Sequence, residues 1–342
     1  MQVYLYNGGF DLVKSSGIGQ ALIHQRKALQ QAGVQLADHM EQAEIVHINT
    51  IFPDSAAAAF KAHLQKKKVV YYGHSTMEDF KGSFKGSNQA APLFKKWITF
   101  CYRQGDVIFT PTEYSKALLQ SYGIKTPIYS VSNGIDTEFF APSQHRRQEF
   151  RTRYGIRNDE KVVISVGHTI YRKGILDYIE MARRLPQVKF LWFGYTPEGL
   201  VPQEIQRAIA SVPENLTFCG YIQQQELRDA YCGADLFAFL SHEETEGIVV
   251  LEALATGCAV LLRDIPVYNN WLQHGVQVWK ERDLEGFIQR TKLILQGDCP
   301  SLQKKALETA EARSLRVVGM QIQEIYQKEG FISSKSKDFC VN

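Results

Sequence analysis

Two carboxylates frame the start of an apolar segment in the second half of the chain. Residues 244–257 read Glu-Thr-Glu-Gly-Ile-Val-Val-Leu-Glu-Ala-Leu-Ala-Thr-Gly, which predicts a helix that contains Glu252 and an entering loop that contains Glu244. Because an unpaired charge inside an apolar helix is unfavourable, we expect Glu252 to have a hydroxyl or cationic partner. The pattern predicts that the two acids converge on one site. Acids that merely surround a helix N-terminus are the simpler interpretation.

Basic residues follow the strand predicted at 162–167. The turn at 168–174 reads His-Thr-Ile-Tyr-Arg-Lys-Gly and precedes a predicted helix that includes residues 177–182. Cations and free amides at the beginning of a helix bind anions, and they can stabilise the charge that develops on a departing diphosphate. Arg172 and Lys173 are therefore candidate catalytic residues, and this chemistry requires no metal ion. Taken alone, the pair is more typical of a solvated surface turn, and its place between a strand and the acid pair is what favours catalysis.

Small and polar residues end the first and third predicted strands. Glycines occur at positions 8 and 9 and again at Gly17 and Gly19, where the first long helix is predicted to begin. Glycine lets a backbone approach a ligand closely, but this spacing differs from the dinucleotide fingerprint and argues against a dehydrogenase. His74 follows the third strand, at the carboxyl edge where α/β folds bind ligands. A plain tight turn and a hydrogen-bonded loop histidine are the alternatives.

Short apolar runs alternate with helical patterns, which is typical of an α/β protein with doubly wound parallel sheets. Five strands are predicted in each half, near 3–6, 45–49, 69–73, 107–111 and 128–131, and near 162–167, 189–194, 216–220, 236–240 and 259–263. The polar and basic segment 142–153 is the predicted linker. We therefore expect one domain at 1–141, a second at 142–314, and a helix with a polar tail at 315–342.

These features resemble the signature of the retaining family 4 glycosyltransferases, which have the GT-B fold with two Rossmann-like domains and a cleft between them. The resemblance rests mainly on the acid pair and its apolar helix. It implies that Glu244 contacts the transferred sugar, that Glu252 binds the ribose of a sugar nucleotide, and that the last helix crosses back to the N-terminal domain. Two positions depart from the family pattern, because Glu246 replaces an aromatic residue and His168 replaces an arginine. The implied catalytic residues are Lys173, Arg172, Glu244 and His74, and the implied donor-binding residues are Glu252, Gly17, Gly19, Glu246, Gly247 and Ile248.

Aromatic and basic residues alternate between positions 80 and 103. A helical projection places Phe94, Trp97, Ile98 and Cys101 on one face and Lys95, Lys96, Thr99 and Arg103 on the opposite face. Such a segment can lie on an anionic membrane, bind RNA by stacking and phosphate contacts, or pack as a helix with a solvated basic side. Combined with a transferase site, it favours a lipid acceptor. The candidate membrane and acceptor residues are Phe84, Lys85, Phe94, Lys95, Lys96 and Trp97.

The composition is that of an ordinary globular chain. Its 342 residues exceed a typical single domain, and 44% are hydrophobic and 22% charged. A net charge of +3 does not indicate nucleic acid. Six scattered cysteines lack the spacing of a zinc site, so we expect reduced thiols. The sequence shows neither a secretory signal nor an apolar run of the ~20 residues that span a bilayer, which predicts a cytoplasmic protein.

Over nearly its full length the chain resembles the bacterial glycolipid synthases of family 4, which add an α-linked hexose to diacylglycerol or to monoglucosyl-diacylglycerol. The resemblance implies a UDP-hexose donor, a glycolipid acceptor and peripheral binding to the inner face of the cell membrane, with no metal, no other cofactor and no nucleic acid. We favour transfer of glucose or galactose to monoglucosyl-diacylglycerol, which yields an anchor lipid of the lipoteichoic acid type. The alternatives are a diacylglycerol glucosyltransferase, an enzyme with a soluble or polysaccharide acceptor, and a non-enzymatic membrane- or nucleic-acid-binding protein. The donor hexose, the linkage and the oligomeric state stay open.

Overall fold

The computed structural model describes residues 1–14 and 16–332 and contains two compact units. Unit 1 comprises residues 1–76 and 93–134 together with the described residues from Arg313 on. Unit 2 comprises residues 77–92 and 135–312. The part of the predicted tail at 333–342 lies outside the described residues.

Strands and helices alternate along the described chain. The strands are β1 (Gln2–Tyr6), β2 (Gln35–Leu36), β3 (Ile45–Ile48), β4 (Lys68–Tyr72), β5 (Val107–Thr110), β6 (Ile128–Ser130), β7 (Val162–Val166), β8 (Lys189–Phe193), β9 (Leu216–Gly220), β10 (Leu236–Phe239), β11 (Val260–Arg263) and β12 (Trp279–Glu281). The helices are α1 (Phe10–Val13), α2 (Gly17–Gln31), α3 (Pro53–Leu64), α4 (Met77–Phe80), α5 (Ser87–Tyr102), α6 (Glu113–Ser121), α7 (Gln144–Arg153), α8 (Ile175–Arg184), α9 (Gln203–Ala210), α10 (Gln224–Gly233), α11 (Ile248–Ala255), α12 (Leu284–Gln296), α13 (Gln303–Glu311) and α14 (Leu315–Lys328). Short 3-10 turns occupy Met40–Gln42, Tyr171–Lys173, Glu198–Leu200 and Pro266–Tyr268.

Unit 1 is built on a six-stranded sheet with the order β2-β1-β3-β4-β5-β6, and every pair is parallel. Strands β3 and β5 are buried throughout, as expected where a parallel sheet is covered on both faces. The last helix, α14, packs against α2 in this unit. A Cβ on Gly319 would stand 2.2 Å from the Ala28 carbonyl oxygen, so only glycine allows this close approach. The core of the unit includes Val3, Phe109 and Ile322.

Unit 2 is built on a second six-stranded parallel sheet, with the order β12-β11-β10-β7-β8-β9. Its core is rich in aromatic side chains. Tyr178 of α8 and Trp192 of β8 are buried, with ring centroids 5.2 Å apart. Strands β7 and β10 are neighbours, so the segments that follow their carboxyl ends meet at one edge of the sheet. Those segments are the basic turn and the acid-bearing loop.

All ten predicted strands are present, and the predicted α/β class with parallel sheets is confirmed. The sequence does not predict strands β2 and β12, because their two and three residues are too few to show an alternation of apolar and polar side chains. Most of the predicted linker at 142–153 forms α7, which belongs to unit 2. This helix is stable because Phe150 is buried and the buried Arg151 donates through Nη1 to the Gly233 carbonyl oxygen at 3.2 Å.

Candidate active site

The basic turn after β7 is held against the end of β10 by a glycine. Tyr171–Lys173 form one 3-10 turn, and Gly174 then adopts a left-handed conformation with a φ of 70° before α8 begins. A Cβ on Gly174 would stand 2.2 Å from the Leu240 carbonyl oxygen, which excludes every larger residue. This close packing fixes Arg172 and Lys173 beside the loop that follows β10.

Lys173 and Glu244 form a buried ion pair. Lys173 Nζ donates to Glu244 Oε1 at 2.5 Å and lies 5.1 Å from the centroid of the Phe239 ring. Ser241 Oγ donates to the same carboxylate oxygen at 2.6 Å. Burial favours the neutral acid, but Lys173 and Arg172 outweigh it and hold the pKa of Glu244 below its ordinary value. Glu244 is therefore a carboxylate at neutral pH.

Arg172 connects the segment 77–92 to Glu244. Its Nη1 lies 2.8 Å from Asp79 Oδ1 and 3.6 Å from Glu244 Oε1, and its Nε donates to Ser83 Oγ at 3.2 Å. Burial raises the pKa of Asp79, while the Arg172 guanidinium opposes this shift. Lys173 shares this cluster, and the carboxylate of Glu243 also acts on the Arg172 guanidinium, so acids outnumber bases around it.

Glu252 is buried in α11 and accepts two side-chain hydrogen bonds from α10. The Tyr231 hydroxyl donates to Glu252 Oε2 at 2.9 Å, and Gln224 Nε2 donates to Glu252 Oε1 at 3.5 Å. The expected hydroxyl partner is thereby confirmed, and no ion pair engages Glu252 within the described chain. Burial raises the pKa of Glu252 to about 7, although both hydrogen bonds oppose the shift. This side chain therefore changes its charge near neutral pH.

Three more predicted donor-binding residues open α11. Glu246 is buried, Gly247 has a left-handed φ of 86°, and Ile248 is the first residue of the helix. The positive φ explains why glycine occupies the position before the helix. Glu244 in the loop and Glu252 in the helix have separate partners, so their convergence on one ligand stays a prediction.

His168 stands where the family pattern has an arginine. Its Nδ1 lies 2.8 Å from the Tyr195 carbonyl oxygen, and because a carbonyl only accepts, Nδ1 carries the proton. Burial lowers the pKa of His168, and the nearby Lys173 and Arg172 lower it as well. His168 therefore contributes a neutral hydrogen-bonding ring, not the positive charge that an arginine would supply.

The candidate residues of unit 1 lie after β4 and at the start of α2. His74 follows β4, and its Nε2 is 3.0 Å from Asn49 Oδ1. Gly17 and Gly19 belong to the first turn of α2. A Cβ on Gly19 would stand 2.5 Å from the Val13 carbonyl oxygen, so packing alone requires that glycine, whereas no described atom comes within 4 Å of a Cβ on Gly17. Contact of these residues with a donor stays a prediction.

The predicted aromatic and basic helix is α5, but its predicted apolar face is turned inward. Trp97 is half-buried, and its Nε1 donates to the Ile51 carbonyl oxygen at 2.7 Å. Phe94 is also half-buried, and Lys95 Nζ lies 4.3 Å from the centroid of the Tyr122 ring. These contacts show a helix that packs on unit 1 through the face predicted for lipid.

A different row of apolar side chains is exposed on unit 1. Leu93 and Phe100 of α5 are 73% and 43% exposed, and Phe60 and Leu64 of α3 are 50% and 85% exposed. The ring centroids of Phe60 and Phe100 are 6.4 Å apart, so the two helices present one patch. Lys96 is exposed on α5, and the exposed pair at 84–85, Phe84 and Lys85, belongs to unit 2. None of the helices in the described chain has both the length and the apolar character needed to cross a bilayer.

Sequence reasoning misses several polar residues at these sites. Their contacts join positions that are far apart along the chain, and one sequence gives no signal of such pairs. Within residues 1–14 and 16–332 there is no cluster of three or more histidine, cysteine or acidic side chains suited to a metal ion. The five cysteines described there are free thiols. The missed residues are Asp79, Ser83, Tyr231, Gln224, Asn49 and Gln25.

Solved structures share this fold. HepE from Anabaena, solved in complex with UDP and glucose, superposes with a TM-score of 0.76 at 17% identity and covers 95% of this chain and 99% of its own. Sucrose-phosphate synthase from Thermosynechococcus elongatus gives a TM-score of 0.71 at 19% identity and covers 83% of this chain and 73% of its own. The expected GT-B fold is thereby confirmed.

Sequence comparison identifies the family. The model described as "Glycosyltransferase Family 4" matches residues 18–139, and the model described as "Glycosyl transferases group 1" matches residues 146–313. The processive diacylglycerol alpha-glucosyltransferase of Acholeplasma laidlawii is 37% identical over 96% of this chain and 98% of its own length. The alpha-galactosylglucosyldiacylglycerol synthase of Streptococcus pneumoniae is 25% identical over 67% of this chain and 62% of its own length. The alpha-monoglucosyldiacylglycerol synthase of the same species is 26% identical over 72% of this chain and 58% of its own length. The chain belongs to family 4 of the glycosyltransferases.

Proposed function

We propose that this glycosyltransferase moves a hexose from a UDP-hexose to a diacylglycerol-based membrane lipid and retains the configuration of the sugar. The favoured acceptor is monoglucosyl-diacylglycerol, and the product is a dihexosyl-diacylglycerol that anchors a polymer of the lipoteichoic acid type. The enzyme acts as a peripheral protein at the inner face of the cell membrane. Glucose and galactose are both candidate hexoses.

The names of the relatives support the lipid acceptor. All three describe enzymes that make glycosides of diacylglycerol, and the relative that matches almost end to end is called processive. A processive diacylglycerol glucosyltransferase adds sugar to a lipid that already carries sugar. The name is thus compatible with monoglucosyl-diacylglycerol as an acceptor, in addition to diacylglycerol itself.

The observation that carries the donor assignment is the environment of Glu252. A buried carboxyl group with a hydroxyl and an amide as partners, and with no ion pair in the described chain, is not explained by a structural salt bridge. Its pKa of about 7 lets it be a carboxylate at the upper end of the neutral range. A carboxylate accepts two hydrogen bonds from a vicinal diol, so Glu252 would bind the 2′- and 3′-hydroxyls of the donor ribose.

The basic turn and Glu244 supply the chemistry at the transferred sugar. As the glycosidic bond breaks, negative charge grows on the β-phosphate, and Lys173 and Arg172 stabilise it electrostatically. The acceptor hydroxyl attacks from the face that the diphosphate leaves, and a phosphate oxygen takes its proton. Glu244 binds a hydroxyl group of the hexose. No side chain acts as a nucleophile in this scheme, and no metal ion takes part.

The exposed patch on α3 and α5 supports membrane association. The patch exposes four apolar side chains to water, those of Phe60, Leu64, Leu93 and Phe100. Lys96 is exposed on α5, the helix that also carries Leu93 and Phe100. Apolar groups that enter the acyl boundary and lysines near anionic headgroups add to each other in membrane binding. The membrane surface would thus comprise these residues in place of Phe94 and Trp97.

The product test uses purified protein with UDP-glucose or UDP-galactose and vesicles of phosphatidylglycerol that contain diacylglycerol or its monoglucoside. Mass spectrometry identifies the lipid, and NMR of the new anomeric centre decides whether configuration is retained. We expect a dihexosyl lipid with the monoglucoside, and formation of the same lipid about 100- to 1000-fold more slowly with Lys173→Ala. The absence of a lipid product in all four combinations would overturn the acceptor assignment.

A further inference from the structure

A buried pair of amides supports His74 in unit 1. Asn49 directly follows β3 and His74 follows β4, and these strands are neighbours in the parallel sheet. Gln25 projects from α2 to the same edge. Asn49 is 2% exposed and Gln25 4% exposed, so both amides need hydrogen-bond partners within the protein.

The two amides bond to each other and to the imidazole. Asn49 Nδ2 donates to Gln25 Oε1 at 2.9 Å, and Gln25 Nε2 donates to Asn49 Oδ1 at 3.3 Å. This reciprocal pair directs Asn49 Oδ1 to His74 Nε2, 3.0 Å away. An amide oxygen only accepts, so Nε2 carries the proton of the neutral ring and Nδ1 keeps a lone pair.

The surroundings of the ring keep it neutral and in one orientation. The Tyr72 ring stacks on His74 with centroids 5.4 Å apart and an interplanar angle of 22°. His74 is half-buried, and its ring makes no second hydrogen bond within the described chain. Burial lowers the pKa of His74 to about 4, and no charged side chain contributes to that shift.

We propose that Asn49 and Gln25 are positioning residues that hold His74 in the Nε2–H tautomer, so that Nδ1 accepts a hydrogen bond from a sugar hydroxyl group. This inference rests on the proposed function, since it requires a sugar-containing ligand at the edge of the sheet. A lone pair attracts a hydroxyl proton and repels a phosphate oxygen. His74 therefore recognises the hexose of the donor or of the acceptor and not the diphosphate.

Two substitutions of Asn49 separate positioning from packing. Asn49→Leu keeps the size of the side chain and removes the acceptor for Nε2, whereas Asn49→Asp keeps an acceptor oxygen in its place. Thr110→Val is the matched control, because it removes a buried hydrogen bond to the Gly73 carbonyl oxygen at the same edge and keeps both partners of the bond between Asn49 and His74. The tautomer is read from long-range proton–nitrogen spectra of the full chain labelled with 15N-histidine, with His74→Gln to assign the signal.

We expect the Nε2–H tautomer of His74 in the wild type, in Asn49→Asp and in the Thr110→Val control, and a mixture of tautomers in Asn49→Leu. In Asn49→Asp the new carboxylate raises the pKa of the imidazole, so its titration moves to higher pH. A His74 spectrum that is the same in Asn49→Leu and in the wild type would overturn the proposal. This measurement requires no substrate, so it stands even if the wild type transfers no hexose and the proposed function fails.

Binding and kinetics then show which sugar is recognised. If the hydroxyl belongs to the donor, Asn49→Leu weakens binding of UDP-glucose about tenfold and leaves binding of UDP unchanged, as lost hydrogen bonds of this kind do. If it belongs to the acceptor, both affinities stay unchanged and KM for the glycolipid rises by a similar factor. Asn49→Asp restores the affected value at pH 8. If Asn49→Leu loses the Nε2–H tautomer but keeps its affinities for UDP-glucose and UDP and its KM for the glycolipid, Nδ1 binds no sugar hydroxyl.

Discussion

Asp79 Oδ1 lies 2.8 Å from Arg172 Nη1, within the cluster in which Lys173 is paired with Glu244. The two cations proposed to stabilise a diphosphate are therefore already matched by two acids. A diphosphate that binds here competes with Asp79 for the guanidinium. Asp79 comes from the segment 77–92, so this contact also links that segment to the proposed chemistry.

Replacing Asp79 by asparagine is expected to strengthen UDP binding. The substitution removes one negative charge beside Arg172, and an interaction between partly buried charges is worth about 1 kcal/mol or more, which corresponds to roughly a fivefold gain in affinity. The free energy of unfolding should fall by about 1–3 kcal/mol because the buried guanidinium loses its nearest carboxylate. Isothermal titration with UDP and denaturation by urea measure the two effects.

Ser83→Ala is the control for Asp79→Asn. It removes another contact of Arg172, from Ser83 Oγ to Nε, without a change in charge. UDP affinity should then stay within about twofold of the wild type, since one neutral hydrogen bond at a part-exposed site contributes little. Weaker UDP binding by Asp79→Asn would mean that Asp79 orients Arg172 for the ligand and does not compete with it.

Glu252 should make stability fall as pH rises through the neutral range. The pKa of Glu252 is about 7 in the folded protein and 4.5 for an ordinary glutamate, so between these values the folded state holds a proton that the unfolded state has lost. Protonated Glu252 therefore adds about 3 kcal/mol to the free energy of unfolding below about pH 4.5, and this contribution is lost as the pH rises through 7. Glu252→Gln cannot titrate, and its unfolding free energy relative to wild type should rise by this amount from pH 5 to pH 8.

The measurement is urea denaturation of both proteins at half-unit intervals of pH. Glu214→Gln, a change at an exposed glutamate, serves as the control and should follow the wild type throughout. Parallel curves for Glu252→Gln and the wild type would show that Glu252 is ionised in the folded protein across this range. That result would contradict the raised pKa of Glu252 in the folded protein.

The sequence predicts the parts of the site that follow from local chemistry. A carboxyl group inside an apolar helix must find a partner, and Tyr231 is such a partner for Glu252. Apolar residues in α5 are less informative, because Leu93 and Phe100 are spaced on a helix as regularly as Phe94 and Trp97 on the face predicted to contact lipid. Only packing decides which row faces the core. The contact of Asp79 with Arg172 depends on tertiary structure in the same way and leaves no local pattern.

Lys173→Ala should reduce kcat about 100- to 1000-fold and change KM for the donor much less. The reason is that the charge on the leaving diphosphate is greater in the transition state than in the bound substrate, so the lost stabilisation of about 3–4 kcal/mol falls on the chemical step. Initial rates over a range of UDP-hexose concentrations separate the two constants. Lys161→Ala, at an exposed lysine, is the control and should behave as the wild type. A rise in KM at constant kcat would assign Lys173 to ground-state binding.

Binding to vesicles should depend on the apolar patch more than on the lysines of α5. The double substitution Phe60→Ser with Leu64→Ser removes side chains that are 50% and 85% exposed, and the lost transfer into the acyl boundary should lower partitioning at least tenfold. Lys95→Ala should have a small effect, because Lys95 Nζ already lies over the Tyr122 ring. Leu293→Ser, at an exposed leucine of unit 2, is the matched control and should leave binding unchanged.

Flotation with phosphatidylglycerol vesicles at low and high salt measures these effects. The apolar contribution to binding should persist at high salt, whereas the ionic contribution is screened. Wild-type protein that fails to float under either condition would exclude this patch as a membrane surface.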